Sequence, residues 1–596
     1  MRVFKRTLLA TAVTVALAAS GAASAQFNNM VFLGDSLSDA GTYGARFTVN
    51  PGLVWTQNLG NAYGFAITPS NQGGTDYAQG GARVALPSAA TPAGAPQRPV
   101  STQITELLQK TPSLDQNTLY TVWVGGNDIL QGLGEAGAGL ITPAQLQANV
   151  AAAAGQTAQQ LERLHAAGAR YIMVSNLGNG QLTPQGVANP TVPIGALSNL
   201  YDSTLNAAVG QLGFEVINLN IGGLLKEVVG NPPAYGFVNA TQPGCTTDAF
   251  FCTSATLVTP DAAQTYVWAD GVHPSPAMHA IVGQYAASVL QAPAQMGVLP
   301  EAALAVEQAG WRTLDGRMVS SINAPRSQGR LEAWAAYDYS APEYSSSFFS
   351  GDGDVNTVAV GGDVKLSDHM LAGMMVNYSE NKADYGGMGY TLREPMGTVY
   401  AGYGQGPWYF GMTLGAGALD YDTTREIALG AATRTETGTT KGWQFAGRLI
   451  GGYWFPAGNW IHGPTVKLTY QEVRVREFAE SGSSSTTMTF DQQERTSFIT
   501  SVGWQLSGQL GAVRPFARAS WEYEGKADAR SVTASVHGMN GSFSMPAYTP
   551  DDNWGLFNLG AAADFGRVTG YLTGSATAGK GDGDAYGVTV GIRVPL

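Results

Sequence analysis

The stretch MVFLGDSLSDAG at residues 30–41 sets a serine directly behind a short apolar run. The run at 30–33, closed by Gly34 and followed by small polar residues, predicts a buried β-strand that ends just before Ser36. The carboxyl end of such a strand is where open α/β sheets bind their ligands. The surrounding pattern is G-x-S-x-S, which differs from the G-x-S-x-G elbow of α/β-hydrolases. We therefore expect a serine-based site here, with the amides of a following helix start placed to stabilise an oxyanion.

The same strand opens a long region in which strands and helices alternate. Further apolar runs of strand length follow at 119–125, 171–178 and 214–222. Between and after them, helices are predicted over 142–168, 196–212 and 276–291, the first with Thr142 as its N-cap and Pro143 at its first position. This alternation predicts an α/β fold, with a mainly parallel sheet covered by helices on both faces.

The N-terminus indicates export. Arg2, Lys5 and Arg6 precede an apolar core at 8–19, and small residues follow at 23–25. This pattern predicts a secretory signal peptide over residues 1–25, so that the mature chain begins at Gln26. A membrane anchor is the alternative, but the apolar run is shorter than the roughly 20 residues that span a bilayer.

Export also bears on the two cysteines of the chain, Cys245 and Cys252, which lie in a Pro-, Gly- and Thr-rich stretch. In an oxidising compartment a local disulfide is favoured over a redox-active or nucleophilic cysteine. Two cysteines and no C-x-x-C pair exclude a disulfide-rich scaffold and a cysteine zinc site.

After residue 330 the pattern changes to twelve segments that alternate apolar with small or polar residues. They begin at 331, 355, 370, 397, 408, 442, 464, 495, 512, 554, 568 and 585, and most are 9–14 residues long. This pattern is typical of a transmembrane antiparallel β-barrel, for which twelve is an acceptable even count. The regions 424–440 and 478–550 can be divided in more than one way, so the count stays open by two. A soluble all-β domain is the alternative, which export and the strand lengths disfavour.

Between the two halves, residues 299–328 predict an amphipathic helix that begins near Pro300 and is too polar for lipid. Such a helix could thread the lumen of the barrel, and an ordinary surface linker is the alternative.

Composition excludes further classes. The hydrophobic fraction of 44% excludes wholesale disorder. Residues 26–300 hold 7 Lys and Arg against 14 Asp and Glu, which argues against a nucleic-acid partner.

A serine nucleophile needs a base, and three of the six histidines lie in the N-terminal half. His165 lies in a polar helix and is expected to be exposed, and His279 lies within a later helix and is expected to be a packing or surface residue. His273 follows Asp270 by three residues, just before that helix. An Asp-x-x-His turn lets a carboxylate hold one imidazole nitrogen while the other faces the serine.

Four blocks carry a family resemblance: FLGDSLSDAG (32–41), YAQGGAR (77–83), VGGNDIL (124–130) and DGVHPSPAMH (270–279). In kind and order they resemble the four blocks of the GDSL, or SGNH, hydrolases. Together with the C-terminal barrel, the layout resembles the GDSL esterase autotransporters of Gram-negative bacteria over essentially the whole mature chain.

The resemblance implies roles for individual residues. Ser36 would be the nucleophile, His273 the base and Asp270 its orienting carboxylate. The oxyanion would be held by the amides of Ser36 and Gly81 and by the Asn127 side chain, with Gly80 as the alternative to Gly81.

The sequence departs from the family pattern at two points. Asp76 stands five residues before Gly81, where the family often has Asn, and the chain ends in Leu596 rather than in Phe or Trp. Asp35, Asp39 and Asp128 also lie within the blocks, and we expect them to cap or hold loops. They form no specific metal pattern, so no metal and no cofactor are expected.

The function that the resemblance implies is a cell-surface carboxylesterase or lipase in the outer membrane, acting on an ester or lipid substrate. Its parts would be a hydrolase passenger over 26–298, a linker helix over 299–328 and a barrel over 329–596. We expect a monomer surrounded by outer-membrane lipid and inserted by the barrel-assembly machinery. An acyltransferase or polysaccharide deacetylase on the same fold, a non-catalytic adhesin and a transport porin are the alternatives.

Overall fold

The structure is a computed structural model that describes residues 27–88, 98–321, 328–345, 350–581 and 583–596. The predicted signal peptide and the end of the predicted linker, residues 322–327, lie outside the described residues.

The N-terminal half is the predicted α/β domain. Its strands are β1 (Asn29–Gly34), β2 (Thr118–Trp123), β3 (Tyr171–Ser175), β4 (Ile217–Leu219), β5 (Asn239–Pro243) and β6 (Tyr266–Trp268). Its helices are α1 (Trp55–Ala62), α2 (Val100–Lys110), α3 (Gly126–Gly137), α4 (Pro143–Ala166), α5 (Pro184–Ala188), α6 (Ile194–Val209), α7 (Ile221–Gly230), α8 (Ala262–Thr265) and α9 (Pro276–Met296). Short 3-10 turns lie at Ser70–Gln72, Gly180–Leu182, Pro232–Tyr235, Ala249–Phe251 and Ser254–Thr256.

Strands β1 to β4 pair in that order, all parallel. Alternate residues of β1 enter two different cores: Met30 and Phe32 join one hydrophobic cluster, and Val31 and Leu33 join the other. Because both faces of the sheet are buried, the strands read as continuous apolar runs. The predicted parallel sheet is confirmed.

The segment just beyond β1 differs from the prediction. No helix begins beside Ser36, since residues 35–38 form a turn in which the Asp35 carbonyl accepts the amides of Ser38 and Asp39 at 3.1 and 3.2 Å. The next helix begins only at Trp55. The expectation of helix-start amides next to the serine was therefore wrong. The Asp35 side chain also accepts the Leu37 amide at 3.0 Å, and this contact stabilises the turn in place of a helix start.

The C-terminal half contains the other strands. They are β7 (Leu331–Ala341), β8 (Glu343–Ser345), β9 (Ser350–Lys365), β10 (Met370–Asp384), β11 (Met388–Gln405), β12 (Trp408–Leu429), β13 (Ala432–Tyr453), β14 (Phe455–Ala457), β15 (Trp460–Val475), β16 (Phe478–Ala479), β17 (Met488–Phe490), β18 (Gln493–Gly508), β19 (Val513–Glu524), β20 (Ser531–Val536), β21 (Phe543–Pro546), β22 (Asn553–Phe565), β23 (Val568–Ala578) and β24 (Tyr586–Pro595).

Twelve of these strands form a closed antiparallel barrel in the order β7, β9, β10, β11, β12, β13, β15, β18, β19, β22, β23 and β24. The barrel closes through pairing of β24 with β7. The twelve predicted segments correspond one to one with these strands, so the predicted strand number is confirmed.

Several barrel strands are longer than the expected 9–14 residues, and β12 and β13 have 22 each. The reason is visible on the outward face of β12. Residues Trp408, Phe410, Met412 and Leu414 are exposed and apolar, whereas Asp420 and Asp422 occupy the same face further along. A tilted strand crosses the hydrocarbon core in about 9–11 residues, so the polar remainder of β12 projects beyond the apolar band.

Helix α10 (Leu299–Val319) occupies the barrel lumen, as predicted. Its charged side chains pair with the inner wall: Arg317 contacts Glu332 and Asp363 at 2.8 Å each, and Glu301 accepts Arg495 at 2.9 Å. The helix could not be a surface linker, because these partners lie on strands from different sides of the barrel.

The projecting parts of the barrel join the α/β domain. Strands β16, β17, β20 and β21 form a small sheet, whose Phe490 and Met545 lie in the same hydrophobic core as helix α9. Polar contacts also stabilise this interface between the α/β domain and the barrel. Glu227 pairs with Arg434 at 2.8 Å and accepts the Ser485 amide at 2.7 Å. The α/β domain is thus held against the barrel by packing as well as by the covalent connection.

Within the part of the chain that the structure describes, no helix has both the length and the apolar character needed to cross a membrane.

Candidate active site

Ser36 lies in the turn after β1, at the carboxyl edge of the parallel sheet, and is 7% exposed. Its Oγ is 2.9 Å from Nε2 of His273, although the two residues are 237 positions apart. Such a distance allows the hydroxyl proton to pass directly to the imidazole.

A tight turn before α9 brings His273 next to Asp270. The Nδ1 atom of His273 lies 2.9 and 2.8 Å from the two carboxylate oxygens of Asp270. The carboxylate is itself fixed by backbone donors: Oδ1 accepts the amides of Val272 and His273, and Oδ2 accepts the amide of Ala249 at 2.8 Å. Asp270 therefore sets the orientation of the imidazole.

Asp270 and His273 each stabilise the charged form of the other. Burial alone would lower the pKa of His273, but the nearby Asp270 charge and hydrogen bond reverse this and leave the pKa above its ordinary value. Burial would raise the pKa of Asp270. The His273 charge and the hydrogen bonds that the Asp270 carboxylate accepts nevertheless hold this pKa well below its ordinary value. The pair is thus arranged to stabilise an imidazolium facing a carboxylate.

The two glycines within the second sequence block have different roles in the fold. The Gly80 amide is already used, because it donates to Asp39 Oδ2 at 2.9 Å. Gly81 has φ of +81°, a conformation that favours glycine. Asn127 lies in the first turn of α3, after the strand next to β1, and its Nδ2 donates to the carbonyl of Ala82 at 3.0 Å. This contact joins the Asn127 amide to Ala82, the residue that follows Gly81.

The carboxylates within the blocks hold loops, in line with the expected structural roles. Asp39 Oδ1 accepts the amides of Gly41 and Thr42, and Asp128 binds Arg83 at 3.1 Å and the Val84 amide at 3.0 Å. Burial raises the pKa of Asp35 to about 7 and also raises those of Asp39 and Asp128.

Asp76, which departs from the family pattern, supports the loop that leads to Gly81. It is fully buried, and its oxygens accept the amides of Ala40 at 2.6 Å and Ala78 at 2.9 Å. Burial raises the pKa of Asp76 well above its ordinary value. The segment around Asp76 runs beside β1, since the Tyr77 amide donates to the Phe32 carbonyl at 2.8 Å. An aspartate therefore performs the loop-holding role at this position.

The other two histidines of this half have other contacts. His165 is exposed and stacks on Phe214, with ring centroids 4.0 Å apart. His279 is buried in α9, where its Nδ1 accepts the Trp55 amide at 3.2 Å, and burial lowers its pKa to about 3. Among the described residues, no group of three or more His, Cys, Asp or Glu side chains is placed to hold a metal ion.

The sequence did not place two segments next to His273, namely the one that carries Phe47 and the loop that the expected disulfide closes. The ring of Phe47 lies 5.3 Å from the imidazole, centroid to centroid. Cys245 and Cys252 are joined by a disulfide, and the loop that they close carries Ala249, whose amide binds Asp270. Loop residues such as these follow no periodic pattern, so only the folded chain reveals their position.

Comparison with known proteins matches each half of the chain to a protein family. A family profile described as GDSL-like Lipase/Acylhydrolase matches residues 30–286, and one described as Autotransporter beta-domain matches residues 333–575. The translocator domain of the autotransporter NalP from Neisseria meningitidis is 17% identical, with a TM-score of 0.40, over 48% of this chain and 96% of that one.

Relatives match over nearly the full length. An uncharacterized protein of the trpE-trpG intergenic region of Pseudomonas putida is 31% identical over 91% of this chain and 96% of its own. Lipase 1 of Photorhabdus luminescens is 26% identical over 99% of both chains. Esterase EstA of Pseudomonas aeruginosa is 28% identical over 90% of this chain and 91% of its own.

A parallel-sheet hydrolase domain followed by a closed barrel with a helix in its lumen defines an autotransporter, in which the barrel lies in the outer membrane and the passenger outside it. The passenger here is the α/β domain that contains Ser36. The chain belongs to the GDSL lipases and esterases of the autotransporter type.

Proposed function

We propose that this protein is a cell-surface carboxylesterase or lipase that hydrolyses ester bonds through an acyl-enzyme intermediate on Ser36. The observation that carries the proposal is the chain of contacts from Ser36 Oγ to His273 Nε2 at 2.9 Å and from His273 Nδ1 to Asp270. Three residues from two distant parts of the sequence meet in the order that nucleophilic catalysis by serine requires.

In the first half-reaction, Ser36 Oγ attacks the ester carbonyl carbon while His273 Nε2 takes the hydroxyl proton. Asp270 keeps the other imidazole proton on Nδ1, so that Nε2 is the nitrogen free to accept. The imidazolium then gives its proton to the departing alcohol oxygen, and the acyl group remains on Ser36.

In the second half-reaction, water takes the place of the alcohol. His273 removes a proton from this water as it attacks the acyl carbonyl, and returns that proton to Ser36 Oγ when the carboxylic acid leaves. The serine is regenerated, and the sum of the two steps is hydrolysis of one ester bond.

Both steps pass through a tetrahedral oxyanion, which needs donors. We assign this role to the amides of Ser36 and Gly81 and to Asn127 Nδ2. The occupied Gly80 amide supports Gly81 rather than Gly80 as the second donor. Asn127 is a neutral donor, so that it can bind an oxyanion without changing the charge next to His273.

We also propose the division of the chain into a passenger over 26–298, a linker helix over 299–328 and a barrel over 329–596. The lumen position of α10 and the start of the first barrel strand at Leu331 support these limits. The contacts between the α/β domain and the projecting strands support a passenger that stays on the cell surface.

The test is Ser36→Ala in the full-length protein displayed on cells. The variant should lose hydrolysis of a short p-nitrophenyl ester and labelling by a fluorophosphonate probe, while antibody staining of the cell surface stays at the wild-type level. Ser203→Ala, at an exposed serine of α6, is the matched control and should keep both activities. Hydrolysis that persists in Ser36→Ala would contradict the proposal.

A further inference from the structure

Four aromatic side chains, Tyr43, Phe47, Phe250 and Phe251, form a continuous group that we call the aromatic wall. The ring centroids of Tyr43 and Phe47 are 6.5 Å apart, and those of Phe47 and Phe250 are 5.3 Å apart. Phe250 also contacts Tyr43 at 6.2 Å and Phe251 at 5.0 Å. The wall combines two segments that are about 200 residues apart in the sequence.

The wall touches the reaction site at two points. Phe47 lies against the imidazole of His273, with centroids 5.3 Å apart. The same ring covers Gly80, since a Cβ atom at that glycine would lie 2.1 Å from Phe47 Cζ. Tyr43 adds a hydrogen bond from its hydroxyl to the Gly80 carbonyl at 3.2 Å. A molecule bound at Ser36 would therefore have this wall as its neighbour.

The far end of the wall is open to solvent. Tyr43, Phe47 and Phe250 are half-buried, and Phe251 is 66% exposed. A single exposed apolar side chain is ordinary, but an apolar strip that leads from a reaction site to the surface has the form of a binding surface.

The wall is also held in place before any ligand arrives. The disulfide between Cys245 and Cys252 closes the loop that carries Phe250 and Phe251. This loop is joined to the segment of Phe47 through Asn50, whose amide donates to the Cys252 carbonyl at 2.9 Å and whose Nδ2 donates to the Ala249 carbonyl at 3.3 Å. Little ordering is then needed on binding, which favours affinity.

We propose that the aromatic wall is the subsite for the hydrocarbon arm of the ester, with Phe251 as a specificity-determining residue at its outer end. The inference rests on the proposed function, because it assigns the substrate class of the Ser36 site. The favoured substrate carries an apolar chain of several methylenes, which covers the rings and removes both surfaces from water. The chain could belong to the acyl group or to the alcohol, and the experiment separates the two.

The experiment compares wild type, Phe251→Ala and Phe251→Leu in the full-length protein. One series varies the acyl chain from acetate to octanoate in p-nitrophenyl esters, and the other varies the alcohol from ethyl to octyl in acetate esters. In the series whose variable chain contacts the wall, Phe251→Ala should lower the ratio of kcat/KM for the longest substrate to kcat/KM for the shortest about tenfold. A tenfold change corresponds to the loss of burial of roughly two methylenes. Phe251→Leu should restore most of the ratio.

Leu140→Ala is the matched control, because Leu140 is 75% exposed and lies between α3 and α4, outside the segments that form the wall. It should leave both ratios unchanged. Unchanged ratios in both series for Phe251→Ala would overturn the subsite while wild-type hydrolysis and labelling of Ser36 still supported the esterase. A wild-type protein that hydrolyses neither series and is not labelled at Ser36 would overturn both proposals.

Discussion

Replacing Asp270 by asparagine tests the proposed mechanism most directly, because it removes one charge and keeps the shape of the side chain. The carboxylate binds three backbone amides, two at Oδ1 and one at Oδ2. A carboxamide oxygen should take the Oδ1 position and keep the amides of Val272 and His273. Its NH2 group then faces the Ala249 amide and His273 Nδ1, which lies 2.8 Å from Oδ2.

This arrangement reverses the tautomer of the imidazole. With a donor facing Nδ1, the proton of neutral His273 moves to Nε2, which then donates to Ser36 Oγ instead of accepting its proton. The lost Asp270 charge also no longer stabilises the imidazolium. In serine triads this combination lowers kcat by about 10⁴-fold, roughly 5 kcal/mol of barrier, and we expect the same order here.

The pH profile gives a second readout that a merely structural change would not produce. Activity requires neutral His273, so kcat/KM rises with pH through the pKa of this residue. In wild type, Asp270 holds this pKa above its ordinary value despite burial. Without the carboxylate charge, burial prevails and the pKa falls, so the rising limb of the profile should move to lower pH while the plateau drops.

The assay is hydrolysis of p-nitrophenyl butyrate by the purified full-length protein in detergent between pH 5 and 9. Asp261→Asn, at an exposed carboxylate before α8, is the control and should leave the rate and the profile unchanged. A residual rate within tenfold of wild type, or a limb that moves to higher pH, would refute the assignment of Asp270 as the positioning residue of His273.

Three further outcomes are expected. Asn127→Ala should lower kcat about 10²–10³-fold through loss of one oxyanion donor, and stopped-flow kinetics that show only a raised KM would contradict this role. A Cys245→Ser/Cys252→Ser variant loses a disulfide that closes a loop with a sequence separation of 7, which stabilises the fold by about 2.5 kcal/mol. The passenger of this variant should therefore melt at a lower temperature. An unchanged melting temperature would argue against a stabilising disulfide. Arg317→Met removes a buried guanidinium that binds Glu332 and Asp363, and Glu332 then keeps Arg593 as a cationic partner; breaking such buried pairs costs about 3–5 kcal/mol. The barrel should then lose its compact migration on SDS gels at a lower temperature, while Arg393→Met, at a partly exposed arginine of β11, should leave that temperature unchanged.

The sequence identified the parts of the fold that depend on local pattern. Runs that are apolar on both faces predicted the parallel strands, and alternating runs predicted all twelve barrel strands, because burial on one face or two imposes that periodicity on the residues. The Asp-x-x-His turn was equally readable, since Asp270 and His273 are close in sequence and their contact needs only a tight turn.

Local pattern missed the turn at Ser36 and the contacts that distant segments make. The sequence placed a helix start beside Ser36, where the side chain of Asp35 instead stabilises a turn. It also predicted barrel strands that are too short, because β12 continues beyond its apolar part into a polar part that pairs with β13 and packs against the α/β domain.

The sequence alone therefore determined the two-domain architecture and the residue types that meet at the proposed site. Local periodicity and the four short sequence blocks are properties of neighbouring residues. The chain has these properties even when it is unfolded. Only the tertiary structure decided that Phe47 lies against His273, that the disulfide loop reaches Asp270, and that the Gly80 amide is occupied. These contacts join segments separated by dozens to hundreds of residues, and nothing in either segment by itself specifies the other.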